Sequence, residues 1–158
     1  MGRTLTDADG VSRLQAKGSD LPFVVVERPR EVLGRVAAAV YDSGDRRCTM
    51  FGITGTNGKT TTAYLMVSAL EALAHTTGLI GTIETRIGDE RIKSVRTTPE
   101  TTDLHALLAT MGERGIDDCV MEVSSHALVL GRVDGVVFDV AVFTNLGRDH
   151  LDFHADVE

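Results

Sequence analysis

The sequence has 158 residues, which suits about one domain with a single hydrophobic core. Its formal charge of −7, without any stripe of basic residues, argues against nucleic acid or an anionic membrane as a partner. No apolar run approaches the ~18 residues of a membrane span, and the first ten residues hold no targeting segment, so we expect a soluble cytoplasmic protein. Cys48 and Cys119 each begin an apolar run, which predicts buried thiols in a reducing compartment.

The first part of the chain predicts little regular structure and then one helix. Residues 1–20 are polar and irregular, and we interpret them as a tail or a fragment of another unit. The β-branched run at 23–26 predicts a strand. Pro29 at a first helical turn, followed by apolar residues at helical spacing, predicts a helix that ends near residues 42–44.

Residues 52–61 are Gly-Ile-Thr-Gly-Thr-Asn-Gly-Lys-Thr-Thr, between a predicted strand at 48–54 and a predicted helix at 61–74. The order of strand, glycine-rich loop and helix is typical of a phosphate-binding loop, whose backbone N–H groups and helix N-terminus face phosphate oxygens. The strict pattern has glycine where this chain has Ile53. A plain glycine turn capped by threonine therefore remains the alternative.

Four residues of this phosphate loop have predicted roles. Gly55 and Gly58 allow the backbone to reach φ > 0 and to bring its N–H groups against phosphate oxygens. Lys59 would then reach the β- and γ-phosphates, and the Thr60 hydroxyl would reach a Mg²⁺ ion. The loop therefore predicts a site for a nucleotide phosphate with its metal.

The rest of the chain alternates strands with helices. Core strands are predicted at 79–83, 119–121 and 136–143, and residues 85–92 predict a hairpin or an extended excursion. Thr98 as an N-cap and Pro99 in a first turn predict a helix that continues to about residue 112. This alternation predicts an α/β fold with a mostly parallel sheet and helices on both of its faces.

Ligands of such sheets bind beyond the carboxyl ends of the strands, where three polar clusters fall. These are the phosphate loop, residues 122–126 and residues 144–154. Glu122 is placed to hold Mg²⁺ or to orient its water, and the simpler interpretation is a carboxylate that caps a turn. His150 and His154 have the i, i+4 spacing of a zinc site, or belong to a solvated loop. We favour the interpretation that His150 faces the metal of the nucleotide.

Four motifs in a fixed order resemble the Mur ligase family. They are Gly55-Thr56-Asn57-Gly58-Lys59-Thr60-Thr61, Thr97-Thr98-Pro99-Glu100, Glu122-Val123-Ser124-Ser125-His126 and Thr144-Asn145-Leu146-Gly147-Arg148-Asp149-His150-Leu151-Asp152-Phe153-His154. The motifs most resemble the members that add the third amino acid, usually meso-diaminopimelate or lysine, to UDP-N-acetylmuramoyl-L-alanyl-D-glutamate in peptidoglycan synthesis. The resemblance implies a P-loop ATPase-like central domain, with ATP and Mg²⁺ as cofactors.

The resemblance also implies roles for single residues. ATP would be bound by Gly55, Thr56, Asn57, Gly58, Lys59, Thr60 and Thr61. The implied catalytic residues are Lys59, Glu122 and His150, and the implied magnesium ligands are Thr60, Glu122 and His150. The UDP-muramoyl-dipeptide would contact Thr97, Thr98, Ser124 and Arg132. Simpler interpretations are helix capping for the two threonines, a turn hydroxyl for Ser124 and a surface charge for Arg132. Leu130 departs from members that use glutamine there.

The domain limits follow from the same resemblance. Residues 1–45 resemble the latter part of the family's UDP-binding N-terminal domain, and residues 46–158 resemble the first part of its central ATP-binding domain. The C-terminal domain, which binds the incoming amino acid, has no counterpart. We therefore expect an incomplete ligase that is monomeric in its full-length form and inactive as this piece alone.

The implied reaction is amide formation driven by ATP. A substrate carboxylate attacks the γ-phosphate, an acyl phosphate forms, and the amine of the third amino acid displaces phosphate, so the expected partners are small molecules. A folylpolyglutamate or cyanophycin-type ligase shares the phosphate loop and is one alternative, although the motifs at 97–99 and 122–126 count against it. The other alternative is a nucleotide-binding module without turnover.

Overall fold

The computed structural model describes residues 26–44 and 48–147, together with the backbone of β1 (Thr4–Thr6) and β2 (Ser12–Leu14). These two strands pair antiparallel. The polar composition of residues 1–20 predicts an irregular segment, but part of it forms this short ladder. The strand predicted at 23–26 lies outside the described residues except for Val26, which is not in a strand. No helix in the described ranges is long and apolar enough to cross a bilayer.

The remaining described residues form alternating helices and strands. They are α1 (Pro29–Tyr41), β3 (Thr49–Thr54), α2 (Lys59–Ala72), β4 (Thr77–Ile80), β5 (Glu84–Ile87), β6 (Glu90–Lys93), α3 (Thr101–Glu113), β7 (Asp118–Glu122), α4 (Ser125–Val129) and β8 (Val140–Phe143). The predicted helices are confirmed to within three residues, and α4 is an addition that the sequence analysis does not predict. The strand predicted at 136–143 is confirmed only in its second half. Before it, the Asp139 carboxylate accepts the N–H of Met50 (2.9 Å).

Strands β3 to β8 form one sheet in the order β6-β5-β4-β7-β3-β8. The four strands β4, β7, β3 and β8 are parallel, and β5 and β6 add an antiparallel hairpin at one edge. The hairpin turns at Gly88, whose φ of +58° suits glycine. The mostly parallel sheet and the hairpin that the sequence predicts are both confirmed.

Alternate residues of the central strands face two cores on opposite sides of the sheet. On one face the strands contribute Met50, Cys119 and Met121, which pack with Leu104, Leu108 and Met111 of α3. On the other face the strands contribute Ile53, Leu79 and Val120, which pack with Ala63 and Val67 of α2. Helices thus cover both faces, as predicted. The predicted burial of the two thiols is also confirmed, and the neighbouring Cys48 thiol together with burial holds the pKa of Cys119 well above its usual value.

The start of α3 differs from the prediction. Glu100, not Thr98, is the N-cap residue, and Pro99 precedes the helix instead of lying in its first turn. The Thr98 side chain is buried, and its hydroxyl donates to the backbone carbonyl of Glu122 (3.0 Å). A buried strand-end carbonyl needs a donor, and Thr98 supplies it where the sequence predicts a helix cap.

His105 ties α1 to α3 inside the protein. Its side chain is fully buried, with Nδ1 2.7 Å from the Ser43 hydroxyl oxygen and Nε2 3.0 Å from the Asp134 carbonyl oxygen. Because a carbonyl only accepts, Nε2 carries a proton and donates it to Asp134, and Nδ1 shares a hydrogen bond with the Ser43 hydroxyl. Gly34 of α1 permits this approach, since a Cβ there would lie 2.2 Å from the Asp134 carbonyl oxygen.

We predict that His105→Ala lowers the free energy of unfolding by roughly 3 kcal/mol, because it opens a cavity and leaves two buried groups unpaired. Ser43→Ala removes one hydrogen bond and should cost about 1 kcal/mol. Urea unfolding followed by circular dichroism measures both values. The control is Thr102→Ala at an exposed position of α3. A His105→Ala variant as stable as this control would contradict the bridge.

Candidate functional site

The loop between β3 and α2 has the backbone that its glycines predict. Gly55 and Gly58 have φ of +127° and +87°, and Gly58 is the N-cap of α2, which no described side chain caps. Bonding within the helix begins where the N–H of Thr62 donates to the Gly58 carbonyl (2.9 Å). The N–H groups of the three preceding helical residues therefore have no acceptor in the helix. Open donors at the positive end of a helix dipole suit an anionic ligand.

The segment after β8 holds this loop in place. The backbone carbonyl of Asn145 accepts the N–H of Thr56 (2.9 Å). The side-chain amide of Asn145 accepts the N–H of Asn57 (3.1 Å) at its oxygen and donates from its nitrogen to the Asn57 carbonyl (3.0 Å). The Thr144 hydroxyl also donates to the Asn57 carbonyl (2.7 Å), and the Gly147 N–H donates to the Thr56 hydroxyl (2.8 Å). The N–H groups of Thr56 and Asn57 are therefore used by the protein, which leaves the helix N-terminus as the source of donors for a ligand.

Lys59 lies folded over the loop. Its Nζ donates to the carbonyls of Gly55 (2.6 Å) and Thr56 (3.0 Å). Both acceptors are neutral, and none of the carboxylates in the described part of the chain forms an ion pair with this ammonium group. Among the described residues the charge of Lys59 therefore meets only neutral acceptors, which suits an anionic ligand at the loop.

The carboxylate of Glu122, at the end of β7, lies at the centre of the site and is fully buried. Its Oε2 accepts the hydroxyls of Thr60 (2.8 Å) and Thr82 (3.0 Å), and its Oε1 accepts the N–H of Thr82 (3.0 Å). These donors offset the cost of burying a charged group. Since Ile53 lies opposite Glu122 in the parallel ladder, both strands end at the same edge, and the fold brings the predicted metal ligands Thr60 and Glu122 together.

Thr82 and Gly81 are site residues that the sequence pattern does not predict. The apolar run predicts a strand that continues to residue 83, but β4 ends at Ile80 and the next residues turn toward Glu122. Gly81 lets the Glu122 carboxylate lie close against this turn, because a Cβ there would lie 2.4 Å from the Glu122 Oε1. The signal in the sequence that indicates this site is a Gly-Thr pair after an apolar strand, because polar residues also follow the strands at the three predicted clusters.

Thr98 and Ser124 form one unit on the other side of Glu122. The Thr98 hydroxyl, only 1% exposed as a residue, accepts the N–H of Ser124 (3.1 Å). The Ser124 hydroxyl in turn caps α4 by accepting the N–H of Ala127 (3.2 Å). Ser124 is thus the N-cap residue of α4, and helix capping by Thr98 is wrong. Contact of either side chain with a substrate stays a prediction.

Arg132 is not a surface charge. Its side chain is 12% exposed, its Nη2 lies 3.0 Å from the Glu100 Oε1, and its Nε is buried without an acceptor among the described residues. Arg96 and Arg30 also approach the carboxylate of Glu100, at 3.8 Å and 3.9 Å. Three guanidinium groups around one carboxylate leave an excess of positive charge, which suits an anionic ligand.

His150 and His154 lie outside the described residues, so their predicted metal roles stay predictions. Within the described ranges, no group of three or more His, Cys, Asp and Glu side chains is arranged to hold a metal ion. A magnesium site here would depend on Thr60, Glu122 and oxygen atoms supplied by a ligand.

Residues 53–158 match the family of the Mur ligase middle domain, about two-thirds of the chain. The chain belongs to the Mur ligase family. As a Mur ligase segment it covers the phosphate loop, the Glu122 centre and the residues after β8 that hold the loop.

Curated relatives match nearly the whole chain. The UDP-N-acetylmuramoyl-L-alanyl-D-glutamate--2,6-diaminopimelate ligase of Streptomyces avermitilis is 60% identical over 154 residues, which are 98% of this chain and 30% of that protein. The UDP-N-acetylmuramyl-tripeptide synthetase of Leifsonia xyli subsp. xyli is 52% identical over 148 residues, 94% of this chain and 28% of that protein. This Mur ligase chain thus spans about 30% of the length of the curated relatives it matches.

Solved structures give the same picture of the fold. The structure of a UDP-N-acetylmuramoyl-L-alanyl-D-glutamate--2,6-diaminopimelate ligase superposes with a TM-score of 0.69 at 26% identity, over 87% of this chain and 28% of that one. E. coli FolC in complex with DHPP and ADP superposes with a TM-score of 0.61 at 23% identity, over 82% and 36%. The likeness to FolC concerns the fold alone.

We predict that Gly55→Ala costs at least about 2 kcal/mol of stability, because alanine is strained at this positive φ. Its Cβ would also meet the Thr144 hydroxyl oxygen at 2.2 Å. Gly44→Ala is the matched control, since Gly44 has open space around it and no positive φ, and it should stay within about 0.5 kcal/mol of the parent. Urea unfolding compares the two. Equal stabilities would show that the loop is not fixed as described.

Proposed function

We propose that this chain is part of a cytoplasmic ligase that uses ATP to add the third amino acid, meso-diaminopimelate, to UDP-N-acetylmuramoyl-L-alanyl-D-glutamate during peptidoglycan synthesis. The observation that carries the proposal is the buried carboxylate of Glu122, which joins Thr60 of the phosphate loop to Thr82 and, through it, to Thr97. The names of relatives at 60% and 59% identity support the choice of diaminopimelate.

The phosphate loop would bind ATP through the open N–H groups at the start of α2 and the charge of Lys59. Of the residues assigned to ATP, Lys59, Thr60 and Thr61 carry these groups, and Gly55, Thr56, Asn57 and Gly58 shape the loop that leads into the helix. The Thr60 hydroxyl and the Glu122 carboxylate, 2.8 Å apart, offer the oxygen ligands that Mg²⁺ prefers, and His150 is assigned as a further ligand. When bound, the metal would neutralise charge on the phosphate oxygens.

The substrate would lie on the side of Glu122 that carries Thr97, Ser124 and Arg132. The positive excess near Glu100 suits the carboxylates of the muramoyl dipeptide. Thr98 is assigned to the same side, where its hydroxyl holds the backbone of Ser124. The proposal thus places the nucleotide and the dipeptide on two sides of one buried carboxylate.

The reaction then needs two displacements. An oxygen of the dipeptide carboxylate bonds to the γ-phosphorus, the bond to the β–γ bridging oxygen breaks, and ADP leaves. The amine of the third amino acid bonds to the acyl carbon of the acyl phosphate, loses a proton and expels phosphate. Lys59 would stabilise charge on the phosphoryl group in transit. Orientation of both reactants can contribute ~7 kcal/mol or more to the rate.

A chimeric ligase tests the proposal, with this chain replacing the matching 154 residues of the Streptomyces avermitilis relative. The purified chimera is incubated with ATP, magnesium, UDP-muramoyl-dipeptide and either diaminopimelate or lysine, and tripeptide is detected by mass spectrometry. We expect product with diaminopimelate. A folded chimera that makes no product, beside an active parent ligase, would contradict the proposal.

We predict that Lys59→Ala in this chimera lowers kcat/KM for ATP by about 100-fold or more, because a preorganised cation is lost from the transition state. Arg114→Ala is the control, since Arg114 pairs with Glu90 on the surface and lies at the end of α3. Its kinetics should match those of the unmodified chimera. Unchanged kinetics for Lys59→Ala would contradict the proposal that this loop binds the phosphates of ATP.

A further inference from the structure

We propose that Thr82 is a positioning residue that makes Thr97 a hydrogen-bond acceptor toward the substrate. Thr97 would then bind an N–H or O–H group of the UDP-muramoyl-dipeptide and not one of its carboxylate oxygens. Thr82 also joins the nucleotide side of the site to the substrate side, so that binding on one side affects binding on the other. This inference rests on the proposed function.

The direction of the hydrogen bonds follows from counting protons. The Thr82 hydroxyl oxygen lies 3.0 Å from the Glu122 Oε2 and 3.0 Å from the Thr97 hydroxyl oxygen, and it has one proton to give. An ionised carboxylate only accepts, and bonds to it are stronger than bonds between neutral groups. Thr82 therefore donates to Glu122, and Thr97 must donate to Thr82. The proton of Thr97 is then in use, and only its lone pairs remain for a ligand.

The backbone fixes Thr82 in this position independently of its hydroxyl. The N–H of Thr82 donates to the Glu122 Oε1 (3.0 Å), and Gly81 is packed so closely that it has no room for a Cβ. Both oxygens of the carboxylate thus bind the same residue. A change in the charge on the Glu122 carboxylate therefore alters its hydrogen bonds with Thr82. Because the Thr82 hydroxyl also bonds Thr97, the change affects the position of the Thr97 hydroxyl as well.

The acceptor at Thr97 and the guanidinium groups near Glu100 favour different groups of the substrate. A carboxylate oxygen brought to Thr97 would face lone pairs, whereas the guanidinium groups of Arg96 and Arg132 near Glu100 carry donors and positive charge. We therefore assign the carboxylates of the dipeptide to the arginine side. An amide N–H or a sugar hydroxyl of the same substrate is assigned to Thr97.

The same chain of hydrogen bonds begins at the phosphate loop. The Thr60 hydroxyl donates to the same Glu122 Oε2 (2.8 Å) that accepts Thr82. A magnesium nucleotide held by Thr60 and Glu122 would change how strongly this oxygen accepts the hydroxyl of Thr82. Because coupling between two ligands is reciprocal, the nucleotide and the dipeptide should change each other's affinity by one and the same factor.

Thr82→Val isolates the hydroxyl. Valine keeps the branched shape of threonine, and the backbone N–H that bonds Glu122 remains. The Thr60 hydroxyl and the Thr82 N–H still bond the Glu122 carboxylate in this variant, so the loss of the Thr82 hydroxyl should leave the fold intact. Thr82→Ser keeps the hydroxyl and should restore the parent behaviour, and Thr82→Ala is a second variant that lacks it. Thr102→Val is the control at an exposed threonine of α3.

Calorimetry on the chimeric ligase measures the dissociation constant of UDP-muramoyl-dipeptide with and without magnesium and a non-hydrolysable ATP analogue. We expect the nucleotide to change this constant about fivefold or more in the parent, in Thr82→Ser and in Thr102→Val. In Thr82→Val and Thr82→Ala the factor should fall to near one. A dipeptide analogue with a methyl group on the bound N–H, or on the bound hydroxyl, should lose affinity for the parent but not for Thr97→Val.

Specific results would overturn the inference. One is that the nucleotide leaves the dissociation constant of the dipeptide unchanged in the parent. Another is that it changes this constant by the same factor in Thr82→Val as in the parent. The third is that the parent binds every methylated analogue as tightly as the substrate itself. A chimera that makes no tripeptide would instead contradict the proposed function. Turnover by the chimera together with unchanged coupling in Thr82→Val would contradict this inference alone.

Discussion

The site depends on the burial of one carboxylate. Removing a charged carboxylate from water costs several kcal/mol unless hydrogen bonds replace the lost water, and no positively charged side chain in the described residues pairs with Glu122. The compensation comes from Thr60 at the start of α2 and from Thr82 after β4. These two segments must therefore converge on the end of β7, and their positions fix the shape of the site.

The sheet makes this convergence possible. The parallel strands β4, β7 and β3 lie side by side, so their carboxyl ends share one edge, and α2 and α3 cover opposite faces below it. Residues outside the sheet also hold this edge in place through hydrogen bonds. Asn145 holds the phosphate loop, and Thr98 joins the end of β7 to the turn that carries Ser124. The residues proposed to act on the ligands thus have a backbone that hydrogen bonds hold in place, which preorganised catalysis requires.

Local signals in the sequence predict much of this arrangement. Hydrophobic periodicity finds the sheet and the longer helices, and the positive φ of Gly55 and Gly58 follows from their place in the loop. The missed features depend on tertiary contacts. The apolar Ile83 extends the strand pattern past Ile80, which hides the turn at Thr82. Thr98 has the chemistry of an N-cap, but its burial beside β7 gives its hydroxyl a different partner. Neither partner can be read from residues near in sequence.

One chain of hydrogen bonds runs from Thr60 of the phosphate loop through Glu122 and Thr82 to Thr97. Recording ¹H–¹⁵N spectra of the 158-residue chain during a titration with magnesium and ADP tests whether a ligand at one end affects the other. We expect the amide signals of Thr82 and Thr97 to shift together with those of Lys59 and Thr60, while that of Thr102 stays in place. Shifts confined to the phosphate loop, with Thr82 and Thr97 unmoved at saturation, would contradict this expectation.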